Sequence, residues 1–167
     1  MARDAIARQY DVDKNRVILV CEAGKGSYRP GTITFFPKKG KSVDLRKMEE
    51  SLRATRLSGG TGMSVESLEI TATGEVVVGD GSTAVLTLKV AGTSQQFVLS
   101  AANTKDGAKT ALRRLCEEVV AGTKIISVTG RVEGWSGTFP VVLRALAAQP
   151  ADAPVVLVVT SFETGKK

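Results

Sequence analysis

The chain has 167 residues, 43% hydrophobic and 24% charged, with 23 Lys and Arg against 17 Asp and Glu for a formal charge of +6. This is the profile of a globular chain long enough for one domain or two small ones. It contains no histidine, which removes the commonest general base and metal ligand, and with them Ser-His-Asp chemistry, Cys-His chemistry and ordinary zinc sites. The apolar runs VILVC (17–21), PVVL (140–143) and APVVLVV (153–159) fall far short of the roughly 20 residues that cross a bilayer. MARDAIARQY at the start is charged early and lacks the apolar core, roughly 7–15 residues long, of a signal peptide. The expectation is a cytoplasmic chain, or a mature form whose leader is missing. The positive balance favours acidic partners and salt-sensitive association.

A short helical pattern comes first, with Asp4 as N-cap and Ile6 and Tyr10 at i, i+4. RVILVC (16–21) and GTITFFP (31–37) read as strands of a hairpin, separated by the Gly- and Pro-bearing EAGKGSYRPG (22–31). DLRKMEESLRATRL (44–57) reads as an amphipathic helix with Leu45, Met48 and Leu52 on one stripe. Asp44 is its expected N-cap, and Val43 a staple on Met48. The loop SGGTGMS (58–64) has three glycines in four positions and raises the question of a phosphate cradle. Such cradles lead from a strand into a helix N-terminus, whereas this one leaves a helix and enters a strand, SLEITATGEVVV (67–78). Gly59 or Gly60 is therefore expected as a helix stop and Gly62 as part of a hinge between two modules. The order so far is α-β-β-α-β.

From about residue 68 strands dominate: LEITATGEVVV, STAVLTLKV and SQQFVLS, then a helix over 105–121, then KIISVTGRVEG, TFPVVLRAL and APVVLVVTSF. The helix carries Ala108, Leu112, Leu115, Cys116 and Val119 on one face, with Gly122 as its stop. Cys116 is expected to pack as a small hydrophobe, and both it and Cys21 to be free thiols in different domains. TATGEVVV (71–78) and SVTGRVEG (127–134) echo each other, each with a glycine inside a strand where a bulge or bend would curl a sheet closed.

Three strands, a helix, then two or three strands, with bends in the first and fourth, resembles the oligonucleotide/oligosaccharide-binding (OB) fold over about residues 68–162. In the first third, TITF (32–35), KKG (38–40) and VDL (43–45) follow one another as in heavy-metal-associated (HMA) domains, a resemblance covering roughly 3–72. It implies a ferredoxin-like βαββαβ module. That family's metal site is a Cys-x-x-Cys pair before its first helix; this chain has no such pair and starts at or inside that helix, so no metal ligand carries over. Its first, central strand is then missing: the chain is shortened there, or another segment fills the gap. Cys21, on the second-strand candidate, is weighed as a buried strand cysteine against a reactive or ligating one.

Two candidate sites remain. Lys38, Lys39, Lys41, Arg46, Lys47, Arg53 and Arg56 outnumber Asp44, Glu49 and Glu50, so 38–56 is either a nucleic-acid footprint or a solvated helix face. Phe35, Phe36 and Tyr28 are the nearby stacking candidates, and alternation puts one phenylalanine in the core. Trp135, in EGWSGTF (133–139), is expected in the loop joining the fourth and fifth barrel strands, either stacking on a ligand or folded over a barrel end. Glu49-Glu50 and Glu117-Glu118 are adjacent on helices and face solvent, and no catalytic constellation stands out.

The resulting expectation is a bacterial-type α+β protein. Residues 1–66 form a degenerate, metal-free HMA-like, ferredoxin-like module, and 67–167 a five- to six-stranded OB-like β-barrel with one helix. It would act without catalysis or cofactor as a binding or assembly component, through protein–protein contacts including self-association. An exposed sheet edge left by the missing strand would be its docking place. The alternatives are a single-stranded nucleic-acid binder using the barrel face and the basic segment, and a metal handler acting through Cys21.

Overall fold

The computed structural model describes residues 2–8, 11–21, 31–56, 67–79, 85–101, 110–136 and 154–165. Tyr10, Tyr28, Gly59, Gly60, Gly62, Ala108 and the strand expected over 138–146 lie outside the described residues. The chain divides into two units, Met1–Ser64 and Val65–Lys167.

In the first unit, α1 (Ala2–Ala7) begins two residues before Asp4, so Asp4 is not the cap that the sequence suggests. It sits in the first turn, where its charge complements the helix dipole, and its carbonyl accepts the Arg8 N–H at 3.0 Å. A 3-10 turn over Lys14–Arg16 follows, capped by the Asp13 carboxylate accepting the Asn15 N–H. It delays β1 (Ile18–Cys21), which pairs antiparallel with β2 (Gly31–Thr34) in the register Ile18↔Thr34 to Cys21↔Gly31. Beyond β2 the chain runs beside 11–13: Asp13 N–H donates to the Phe36 carbonyl at 2.9 Å, Lys38 N–H to the Asp11 carbonyl at 2.7 Å, and Val12 bridges Pro37.

A tight turn over Lys38–Lys41, closed by the Lys41 N–H on the Lys38 carbonyl at 3.0 Å, uses Gly40 at φ +72°, a left-handed conformation natural to glycine. Asp44 then caps α2 (Leu45–Ala54) as expected, accepting the Lys47 N–H at 3.0 Å. The Asp44 N–H itself donates to the Asp11 carboxylate at 2.8 Å, which ties the helix start to the strand-like segment at 11–13. The stripe Leu45, Met48, Leu52 is buried with Ala5, Ile6, Val12 and Val17. These residues form the unit's small core, and Ser51 Oγ donates to the Ala5 carbonyl across the two helices.

Two expectations about this unit are corrected. Cys21 is exposed, because all four residues of β1 are exposed in a sheet of two strands. Neither Phe35 nor Phe36 enters the core; both are half-buried, since the ladder stops at Thr34 and strand alternation no longer governs them.

The second unit is a closed five-stranded barrel. Its strands are β3 (Ser67–Val78), β4 (Leu86–Val90), β5 (Gln96–Ala101), β6 (Ile125–Ser136) and β7 (Val155–Thr164), with α3 (Ala111–Val120) between β5 and β6. The order around the barrel is β3-β4-β5-β7-β6 and back to β3, every pair antiparallel except β5 with β7. Numbered within the barrel this reads 1-2-3-5-4-1, an arrangement consistent with an OB-like fold. β3, which the first-third order α-β-β-α-β had as its last element, is consumed here by pairing with β4 and β6.

Alternate residues point inward: Val76, Leu86, Leu88, Phe97, Leu99, Ile126, Val128, Val132, Leu157 and Val159 are buried. The echoed Thr-Gly sites sit where the sheet curls. Gly74 pairs at once with Val90 of β4 and Ile126 of β6, and a Cβ there would lie 1.9 Å from the Lys89 carbonyl oxygen. At Gly130 a Cβ would lie 2.9 Å from the Val158 carbonyl, and the β6–β7 register shifts between Thr129 and Gly130.

Helix α3 starts later than the expected 105. Thr110, extended at ψ 153°, caps it by accepting the Arg113 N–H. At its other end Gly122, at φ +93°, donates to the Val119 carbonyl at 3.0 Å and Thr123 to the Glu118 carbonyl at 3.1 Å, the paired bonds of a Schellman stop. Leu115 is buried, and α3 packs against β5 and β7.

Candidate interaction surfaces

The described basic side chains of 38–56 stand at the two ends of α2. Lys38, Lys39 and Lys41 sit on the turn that leads into α2, Lys39 and Lys41 exposed and Lys38 half-buried. Lys47 is exposed in the first turns and pairs with Asp44 at 3.6 Å. Arg56, also exposed, follows the other end of the helix, about 15 Å away for ten residues at 1.5 Å each. There it helps line an open concavity of about 350 Å³ with Asp4, Arg8, Ser51, Ala54 and Thr55. The Ser51 and Thr55 hydroxyls in it are bonded to backbone carbonyls. Arg46 and Arg53 belong to α2, but their side chains lie outside the described residues.

What joins the lysine turn is a pair of residues that the sequence did not single out. The backbone bonds between 11–13 and 36–38 bring Lys14 and Arg16 to the same edge, both exposed. The Arg16 guanidinium carbon lies 3.7 Å from the Phe36 ring centroid, a cation–π stack. No local signal announced this pairing: the ladder ends at Ile18↔Thr34, and beyond it the Phe36 carbonyl bonds to Asp13 while Arg16 lies in the 3-10 turn. The three acids nearby are engaged by backbone amides, Asp11 by Asp44, Asp13 by Asn15 and Asp44 by Lys47.

Trp135 is not in a loop. It lies on β6, next to Ser136, which pairs with Ser67. The loop expectation fails because β6 stays in the sheet past an irregularity: between the pairs Ser67↔Ser136 and Glu69↔Arg131 the register shifts, placing residues 132–135 opposite the single residue 68. The Trp135 side chain lies outside the described residues, as do residues 137–139.

On the barrel's outer face, β3 and β6 carry a polar ladder. Thr71 and Thr129 hydroxyls are 2.9 Å apart, and those of Thr73 and Ser127 3.0 Å apart. Cross-strand hydroxyl pairs of this kind stabilise a sheet. At the end covered by α3, a shallow apolar concavity of about 200 Å³ is lined by Val78, Leu86, Leu99, Leu112, Cys116 and Val120, so the half-buried Cys116 does sit among aliphatic neighbours. Glu117 and Glu118 are exposed, Glu117 beside Arg113 at 3.9 Å.

Among the described residues of the first unit, the most apolar exposed stretch is β1: Ile18, Leu19 and Val20 are 55%, 41% and 60% exposed. Among the described residues no helix is long and apolar enough to cross a membrane, and no three Cys, Asp or Glu side chains gather closely enough to hold a metal ion. Compared with family models, curated proteins and solved structures, the chain matches none.

Proposed function

We propose that the protein is a non-catalytic binding or assembly component that works through protein–protein contacts, with β1 as its docking strand. The observation that carries this is the run Ile18-Leu19-Val20, more than two-fifths exposed at each position, on a strand with β2 as its one partner among the described residues. A two-stranded sheet is marginal in water, and an uncovered aliphatic edge invites an added strand, whose main chain supplies hydrogen bonds while its side chains cover the apolar ones. Cys21 at the end of β1 is exposed too, which extends the uncovered stretch to four residues.

The barrel is read as an OB-like module, supported by its strand order and by the parallel pairing of β5 with β7. The first unit is read as a degenerate, metal-free HMA-like module, supported by the order α1, β1, β2, lysine turn and Asp44-capped α2. Both readings describe scaffolds; the docking strand supplies the function.

Self-association is the form of the reading that can be tested at once. Light scattering on the eluting protein should show a mass that rises with concentration, and Val20→Lys should hold it at the monomer. Val20 is exposed, so the substitution should change fold stability by no more than about 0.5 kcal/mol. A wild-type chain that stays monomeric at the highest concentration overturns docking between copies through β1.

A further inference from the structure

The edge where residues 14–16 meet 36–41 has a chemistry different from that of β1. Four cations, Lys14, Arg16, Lys39 and Lys41, stand exposed on it. Their backbone is held by a connected set of bonds: Arg16 N–H to Asp13 carbonyl at 3.0 Å, Asp13 N–H to Phe36 carbonyl at 2.9 Å, Lys38 N–H to Asp11 carbonyl at 2.7 Å and Lys41 N–H to Lys38 carbonyl at 3.0 Å. The charges are therefore borne on a framed edge rather than on a free tail. The nearby acids Asp11, Asp13 and Asp44 each receive a backbone N–H, so part of their hydrogen-bonding capacity is spent inside the protein.

Arg16 settles what kind of anion this edge suits. Its guanidinium is planar, and its central carbon lies over the Phe36 ring, 3.7 Å from the centroid, while the residue as a whole is exposed. The outer face of that plane is a stacking platform, stiffened by the ring beneath it. An acidic peptide needs only the point charges. An unpaired base uses the platform as well, because every base has a flat π-face and stacks on Arg planes or aromatics. Bases in a duplex are already stacked, so a duplex cannot use it.

We propose that this edge of the first unit is a binding site for single-stranded nucleic acid, with Arg16 on Phe36 as the base platform and Lys14, Lys39 and Lys41 as phosphate contacts. Its residues belong to the first unit and are distinct from those of β1. It also narrows the basic run: Arg56, beyond the far end of α2, lies outside it.

The test is fluorescence anisotropy of the full chain with a labelled oligothymidine strand, in about 50 mM and about 200 mM salt. Three phosphate contacts predict a slope near −2 and a loss of roughly twentyfold over that range. Arg16→Lys keeps the charge and removes the plane, and should weaken binding roughly tenfold or more while leaving the salt slope unchanged. Lys14→Gln with Lys39→Gln, both at exposed positions, should leave the circular dichroism spectrum unchanged, weaken binding and flatten the slope. Arg56→Gln should do neither. The proposal is overturned by any of four results: no binding at the lower salt, a folded Arg16→Lys binding like wild type, Lys14→Gln with Lys39→Gln binding like wild type, or a polyglutamate peptide of matched charge competing as well as the oligonucleotide. Should Arg16→Lys disturb the fold by circular dichroism, the lysine pair and the peptide competition still decide it.

Discussion

At the scale of single residues, glycine 74 carries more of the barrel than any side chain can. β3 serves two neighbours, β6 along its first part and β4 along its last, and Gly74 is shared by both ladders. A methyl group there would sit 1.9 Å from a backbone oxygen that is itself part of the sheet. Neither strand can yield without breaking pairs. Gly74→Ala is expected to cost on the order of 3–5 kcal/mol. At Gly130 the clash is milder, at 2.9 Å and beside a register shift that can absorb movement, so Gly130→Ala should cost about 1–2 kcal/mol. Denaturant unfolding of the two variants checks the order, and a reversed order would show that β6, rather than β3, is the tight joint. The sequence made both glycines visible through their Thr-Gly echo, but not the difference between them, which depends on which carbonyl each one meets.

At the scale of elements, what was local was legible. Asp44 and the stripe Leu45, Met48, Leu52 lie within a few residues of each other, and the cap bond and the burial both follow from that spacing. The same holds for Gly122, whose left-handed φ closes α3. Gly122→Ala should therefore cost about 1 kcal/mol through strain alone. Leu115→Ala should cost about 2–5 kcal/mol because the side chain is fully enclosed, and the half-buried Leu112 correspondingly less. Thermal unfolding of these three variants would contradict the account if Leu112→Ala proved the worst. Elements that depend on a distant partner were misread. RVILVC looks like a core strand by composition, yet a sheet of two strands leaves Ile18 to Cys21 exposed. Trp135 looked like a loop residue between glycines, yet β6 keeps its pairing with β3 as far as Ser136. Arg16 went unnoticed because its partner Phe36 is twenty residues away, across a hairpin loop whose length does not announce a register.

At the scale of the whole molecule, the second unit closes its hydrogen-bond ladder on itself and fills its interior from its own five strands and α3. A fragment of residues 65–167 is accordingly expected to unfold cooperatively with a β-type circular dichroism spectrum; a fragment with no transition would show that the barrel needs the first unit to fold. The sequence by itself determined most of the described elements and their order, the Asp44 cap of α2, the Gly122 stop of α3, the bending glycines and the lack of histidine. All of these rest on composition or on residues close together in the chain, where backbone preference and side-chain period act directly. Only the tertiary structure decided that β5 and β7 close the barrel in parallel, that the turn lysines and Arg56 stand at opposite ends of α2, that an aliphatic strand stays uncovered, and that Arg16 stacks on Phe36. Each of these depends on which distant segments meet and in what register, and a single residue of slip would turn every side chain to the opposite face.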